Sequence, residues 1–135
     1  VVVALSFERV GNGFKLEFTW DGMVLIARVI GPHDTFDISV AYWKVVASER
    51  ERLGADRVLV LEELLESGPR ETVVDLFPEL VNLGFQGHRV AFVDNVDWHR
   101  AEQEQVAILA RENGIRAAVF ADSHQALTWL RYGDD

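Results

Sequence analysis

The chain has 135 residues, 49% hydrophobic and 26% charged, the make-up of a single soluble globular domain spanning 1–135 with no room for two. Its 22 acidic and 13 basic residues give a formal charge of −9, which argues against DNA, RNA or anionic lipid as partners, since all three need basic surface. The absence of cysteine excludes disulfides, thiolate zinc sites, iron–sulfur clusters and cysteine nucleophiles, and it fits a cytoplasmic protein.

No apolar run approaches the roughly 20 residues of a transmembrane helix, so no stable membrane insertion is expected. Val1-Val2-Val3-Ala4-Leu5 has no basic region before it and does not read as a signal peptide, whereas Val1 in place of an initiator Met points to trimming. Lys15 to Trp20 alternates polar with apolar, Asp21-Gly22 is a turn, and Met23 to Ile30 is rich in β-branched residues, which predicts an antiparallel hairpin. Gly31-Pro32-His33 closes it. Asp34 is then the expected N-cap of a helix with apolar positions at Phe36, Val40, Trp43 and Ala47, ended by Gly54. The polar stretch Ser48 to Arg52 predicts that this helix runs out into solvent.

Arg57 to Leu61, His88 to Val93 and Ile115 to Phe120 are short apolar runs that suit strands buried on both faces of a partly parallel sheet. Between the last two, Trp98 to Asn113 reads as a crossover helix stopped by Asn113-Gly114. Glu71 to Leu83 carries an apolar face, but Pro78 predicts a kink or a helix beginning near Asp75. The final helix opens on the capping-box-like Asp122-Ser123-His124-Gln125 and is expected to bury Ala126, Trp129 and Leu130. The predicted fold is α/β, a mixed sheet of about five strands with about four helices.

Three local features sharpen this order: the strand Arg89-Val90-Ala91-Phe92-Val93-Asp94 followed by Trp98, the strand end Val119-Phe120, and the closing Gln125-Ala126-Leu127-Thr128-Trp129-Leu130. From Phe18 to Leu130 the chain resembles the SpoIIAA-like fold shared by STAS domains and the lipid-binding CRAL-TRIO domains. The resemblance implies a small cytoplasmic regulatory or ligand-binding domain without established catalysis. STAS-type anti-sigma-factor antagonists carry a phosphorylatable serine in an aspartate-serine-serine-glycine loop. The comparable segment here is Glu62-Glu63-Leu64-Leu65-Glu66-Ser67-Gly68-Pro69, which makes Ser67 the candidate phosphorylation site, although Leu65 and Glu66 replace the aspartate and first serine. Read without the resemblance, Ser67-Gly68-Pro69 is a helix-leading turn.

Carboxylates collect after the strands at Glu62, Glu63, Asp94, Asp97 and Asp122, where a magnesium-dependent phosphoryl site is chemically conceivable. Asp97 and Asp122 also stand where N-caps are needed, and no glycine-rich phosphate loop accompanies them. His33, His88, His99 and His124 lie on separate elements, so no histidine metal site and no metal or other cofactor is expected. No serine stands in a nucleophile-elbow context.

Trp98-His99 pairs an aromatic wall with a titratable donor, a common pocket composition set against ordinary packing. Tyr42 and Val46, with Ile38 and Val45, widen the apolar surface of the first helix beyond its main stripe, which predicts burial on more than one side. Tyr42, Trp43, Val46, Trp98 and His99 are therefore the candidate ligand or partner surface. The leading expectation is a non-enzymatic regulatory or binding domain acting through protein contacts, as a homodimer or with another protein. The alternatives are a carrier of a small apolar or lipid-like ligand held beside the Phe36 to Ala47 helix, and a magnesium-dependent enzyme using Glu62, Asp94 and Asp97.

Overall fold

The chain alternates strand and helix after an opening run of three strands. The computed structural model describes residues 4–67, 73–94 and 100–133. In chain order these form β1 (Leu5–Gly11), β2 (Phe14–Trp20), β3 (Val24–Asp34), α1 (Phe36–Leu53), β4 (Arg57–Ser67), α2 (Val73–Leu80), β5 (Arg89–Asp94), α3 (Arg100–Glu112), β6 (Arg116–Phe120) and α4 (Ser123–Tyr132). The fold is α/β with a mixed sheet in the order β1-β2-β3-β4-β5-β6, antiparallel through β3 and parallel from β3 to β6.

That order explains the layering. Each of the three β-α-β units steps one place in the same direction, and right-handed crossovers then set α1, α2 and α3 on one face of the sheet. The large core lies on that face, where Leu16, Phe18, Leu25, Ala27, Val58, Val60 and Val90 meet Tyr42, Trp43, Val46 and Ala110. α4 follows the edge strand β6 and packs on the other face, seating Ala126 and Leu130 against Val24, Leu59, Ala91 and Val93. Away from α4, that face carries charged residues, with Arg28 paired to Glu63 and, at 3.2 Å, to Glu17. This is the period-two alternation of Lys15 to Trp20 in physical form.

The sheet has six strands, not five. The additional strand is β1, whose residues are mostly exposed and carry little apolar signal; the Gly11-Asn12-Gly13 stretch after it is the β1–β2 turn, with Gly13 at φ 90°. β3 continues through Gly31-Pro32-His33 to Asp34, so Asp34 is not the cap of α1. Thr35 caps it instead, its hydroxyl accepting from the Ile38 amide at 3.2 Å. At the other end Gly54 adopts the left-handed conformation at φ 68°, which lets its amide and that of Ala55 reach the last carbonyls of the helix.

The polar end of α1 runs into solvent on one side only, with Ser48, Glu51 and Arg52 exposed and Glu49 turned inward. Glu49 is buried there between Arg9 of β1 at 2.8 Å and Arg52 at 2.6 Å, because β1 crosses beneath that turn. α2 begins at Val73 and carries Pro78 inside it. α4 is capped as expected by Asp122, which accepts from the Gln125 amide at 2.8 Å. Ala126 and Leu130 are fully buried, but Trp129 is only partly so and lies tilted against Phe120 under the Arg89 guanidinium. No described helix is long and apolar enough to cross a membrane.

Candidate functional site

α1 determines what the helix-covered face can hold. Its buried residues are Ser39, Tyr42, Trp43, Val46, Ala47 and Glu49, a stripe centred on Tyr42 and Val46 rather than on Phe36 and Val40, which are half-buried. Tyr42 and Val46, at 1% and 0% exposure, are therefore core residues and not a partner surface. Trp43, also in the stripe, is stacked on Tyr42 at 5.6 Å and on Phe92 of β5 at 6.1 Å, with Phe85 edge-on at 5.8 Å.

Beyond this aromatic group lies a half-enclosed chamber of about 100 Å³. Trp43 and Phe92 form one wall, Phe77 and Leu80 of α2 another, and Val106, Ala107 and Ala110 of α3 a third, with Phe85, Val90, Ile115 and Ala117 to Val119 completing it. Every one of these residues is apolar. Four are alanines, and the small side chains on α3 and β6 leave open the volume that leucine or valine would fill.

On the other side of Tyr42 the chemistry changes. Its hydroxyl donates to Glu62 Oε2 at 2.7 Å, and Glu62, on β4, is itself 7% exposed. The carboxylate thus turns into the core instead of projecting from the strand ends, which removes it from the acidic cluster expected there. The side chain of Asp94 and the whole of Asp97 lie outside the described residues, and among the described residues no three His, Asp or Glu side chains gather as a metal site. Glu63 is held on the opposite face by Arg28.

Trp98 and His99 also lie outside the described residues. Ser67 ends β4, its backbone opposite Asp34 of β3, so it belongs to a strand and not to a turn; its side chain, with Gly68 and Pro69, is outside the described part. Of the described candidate surface residues, the structure brings Trp43 to the chamber wall and pairs Tyr42 with Glu62. Phe77, Phe85, Ala107, Ala110 and Ala117 escape sequence reasoning as site residues, since they come from separate elements and share no local motif. Their one signal is alanine recurring where α3 and β6 face the core.

No family model matches the chain, and no curated protein matches it significantly.

Proposed function

We propose that this chain is a non-enzymatic binding domain that takes a small apolar ligand into the chamber behind Trp43. The observation that carries the reading is a volume of about 100 Å³ whose described lining is wholly apolar. Such a space has no polar groups to hold water, and dry apolar cavities of about 150 Å³ bind molecules the size of benzene. The smaller volume here suits a compact aliphatic group, or an aromatic ring admitted by slight displacement of a wall. The wall best suited to give way is α2, eight residues long with Pro78 inside it, because proline forfeits one helical hydrogen bond.

The test combines native mass spectrometry of protein purified from its host with thermal unfolding in the presence of benzene. A retained apolar adduct and a raised midpoint are expected, reaching about 2.7 kcal/mol of stabilisation at 100-fold excess over the dissociation constant. Ala107→Leu, which fills the chamber from α3, is expected to abolish the rise. An unchanged wild-type midpoint, or an equal rise in the filled variant, overturns the reading.

A second reading, a regulatory domain of SpoIIAA-like type acting through protein contacts as a homodimer, has separate support in the edge of β1, which no other described strand pairs and where Leu5 and Val10 are exposed. Ser67 as a phosphorylated switch belongs to this second reading.

A further inference from the structure

We propose that β1 pairs antiparallel with β1 of a second copy, in the register that sets Phe7 opposite Phe7, joining two six-stranded sheets into one. The inference rests on the homodimer reading and names its surface.

The sheet has two edges, which differ in length and in exposed apolar surface, each with one arginine donating to a strand carbonyl. β6 has five residues, and the Arg111 Nε donates to its Ala117 carbonyl at 2.8 Å, occupying a backbone group from outside the sheet. β1 has seven residues, keeps continuous register with β2 throughout, and contains neither proline nor lysine. Of the devices that usually blunt an edge strand, it has two charges, Glu8 and Arg9, the second drawn inward to Glu49, but no proline, lysine or bulge that breaks its pairing. Its flank also exposes two large aliphatic side chains, Val10 at 79% and Leu5 at 51%.

The turn fixes which backbone groups face outward. Gly11 and Phe14 are opposite each other across a two-residue turn and so form a hydrogen-bonded pair. Arg9, Phe7 and Leu5 then direct their amides and carbonyls to β2, leaving those of Ser6, Glu8 and Val10 pointing out of the sheet. Among the described residues one side chain reaches these groups, the Arg9 Nη1, which donates to the Glu8 carbonyl at 2.9 Å and leaves it a second lone pair.

Two-fold symmetry limits the registers. Facing residues must share a face of the joined sheet, so the centre falls on a residue opposite its own copy. Centring on Glu8 sets carboxylate against carboxylate, and centring on Arg9 sets guanidinium against guanidinium, each a destabilising like-charge pair. Centring on Ser6 leaves Val10 outside the pairing. Centring on Phe7 pairs residues 4 to 10 in full, with Ser6 opposite Glu8, Leu5 opposite the aliphatic stem of Arg9 and Ala4 opposite Val10. It brings the two Phe7 side chains side by side, each stacked on Phe18 and overlain by the Arg9 and Arg52 guanidiniums, and it leaves Arg9 in its ion pair with Glu49.

The test is the mass of the wild-type chain in solution at about 0.1 mM, a high concentration because one strand pair is smaller than the ~800 Å² per partner of a standard interface. Twice the chain mass is expected, falling to the monomer mass in Glu8→Pro, which removes an outward amide and no bond to β2. Because the chain has no cysteine, single replacements report the register independently of that variant's folding. Phe7→Cys is expected to form a disulfide dimer on mild oxidation, its Cα pair standing about 4.5 Å apart, and Glu8→Cys to do so at least tenfold more slowly. A monomeric wild type overturns both the homodimer and the edge. A dimer that persists in folded Glu8→Pro, or disulfide formation as fast in Glu8→Cys as in Phe7→Cys, overturns the edge and register while leaving a homodimer of another kind.

Discussion

Two carboxylates, Glu49 and Glu62, are buried on the helix-covered face to nearly the same degree, 6% and 7% exposed, yet they are held by different chemistry. Glu49 lies between two guanidinium groups, Arg9 and Arg52, which both also stand over the Phe7 ring at 5.0 and 5.2 Å. That cluster clamps the edge strand β1 to the end of α1 with opposite charges and two donors. Glu62 accepts from the neutral phenol of Tyr42, in the aromatic wall next to the chamber. Equal burial is thus reached through different neighbours. The first carboxylate has two charged partners on half-exposed side chains, either of which can stand in for the other, and the second has among its partners a neutral donor whose position is set by ring packing.

The sharpest way to break the second arrangement is to remove the ring that supports it. Trp43→Ala is expected to cost about 3–5 kcal/mol in a denaturant titration, the range for deleting a large buried aromatic. It also enlarges the chamber and frees Tyr42 on one side. A loss below about 1 kcal/mol would mean that the stack on Tyr42 and Phe92 does not hold the face together.

The comparison itself is measured by two milder changes made side by side. Tyr42→Phe deletes the hydroxyl and leaves the buried Glu62 one donor short, an expected loss of about 1–3 kcal/mol. Arg9→Ala leaves Glu49 paired with Arg52 and exposes no new buried charge, so an expected loss of about 1 kcal/mol or less follows for a half-exposed ion pair. Equal losses in the same urea titration would remove the distinction between the two sites.

The residues that make the fold legible are those whose local pattern is their cause. Asp122 caps α4, Gly54 and Gly114 end α1 and α3 in the left-handed region, and Val58, Val60 and Val90 are buried strand residues, all readable from neighbours in sequence. β1 is obscured because an edge strand packed on one side carries little apolar signal, though Asn12-Gly13 is a turn signal of the hairpin kind. Glu49 looks like a solvated charge until β1 supplies Arg9 from 40 residues away. The chamber is legible only as far as Trp43. Its other walls come from α2, α3, β5 and β6, and no spacing rule links Phe77 with Ala107 or Ala117, since their proximity is a product of sheet order.

The smallest effect lies outside both carboxylate sites, at the turn between β2 and β3, and it serves as the half-exposed reference for them. Asp21 Oδ1 accepts from the Met23 and Val24 amides, each at 2.9 Å, and Oδ2 from Arg131 Nη2 of α4 at 2.6 Å. Burial works to raise its pKa, but the two amides and the Arg131 charge together outweigh burial and hold it below the ordinary carboxylate value of 3.8. A group depressed in the folded state stabilises it at pH above the unfolded value, and that stabilisation fades as pH falls below about 4 and through the folded pKa. Asp21→Asn keeps an acceptor for the amides and loses the charge toward Arg131, so a loss of about 0.5 kcal/mol is expected at pH 7, typical of a surface ion pair. The gap between wild type and variant should close as pH falls through the lowered folded pKa, where wild-type Asp21 becomes protonated. Denaturant titrations of both proteins across pH 2–7 check this, and a gap that stayed constant or widened toward acid would show that the Asp21 charge does not hold α4 to the turn.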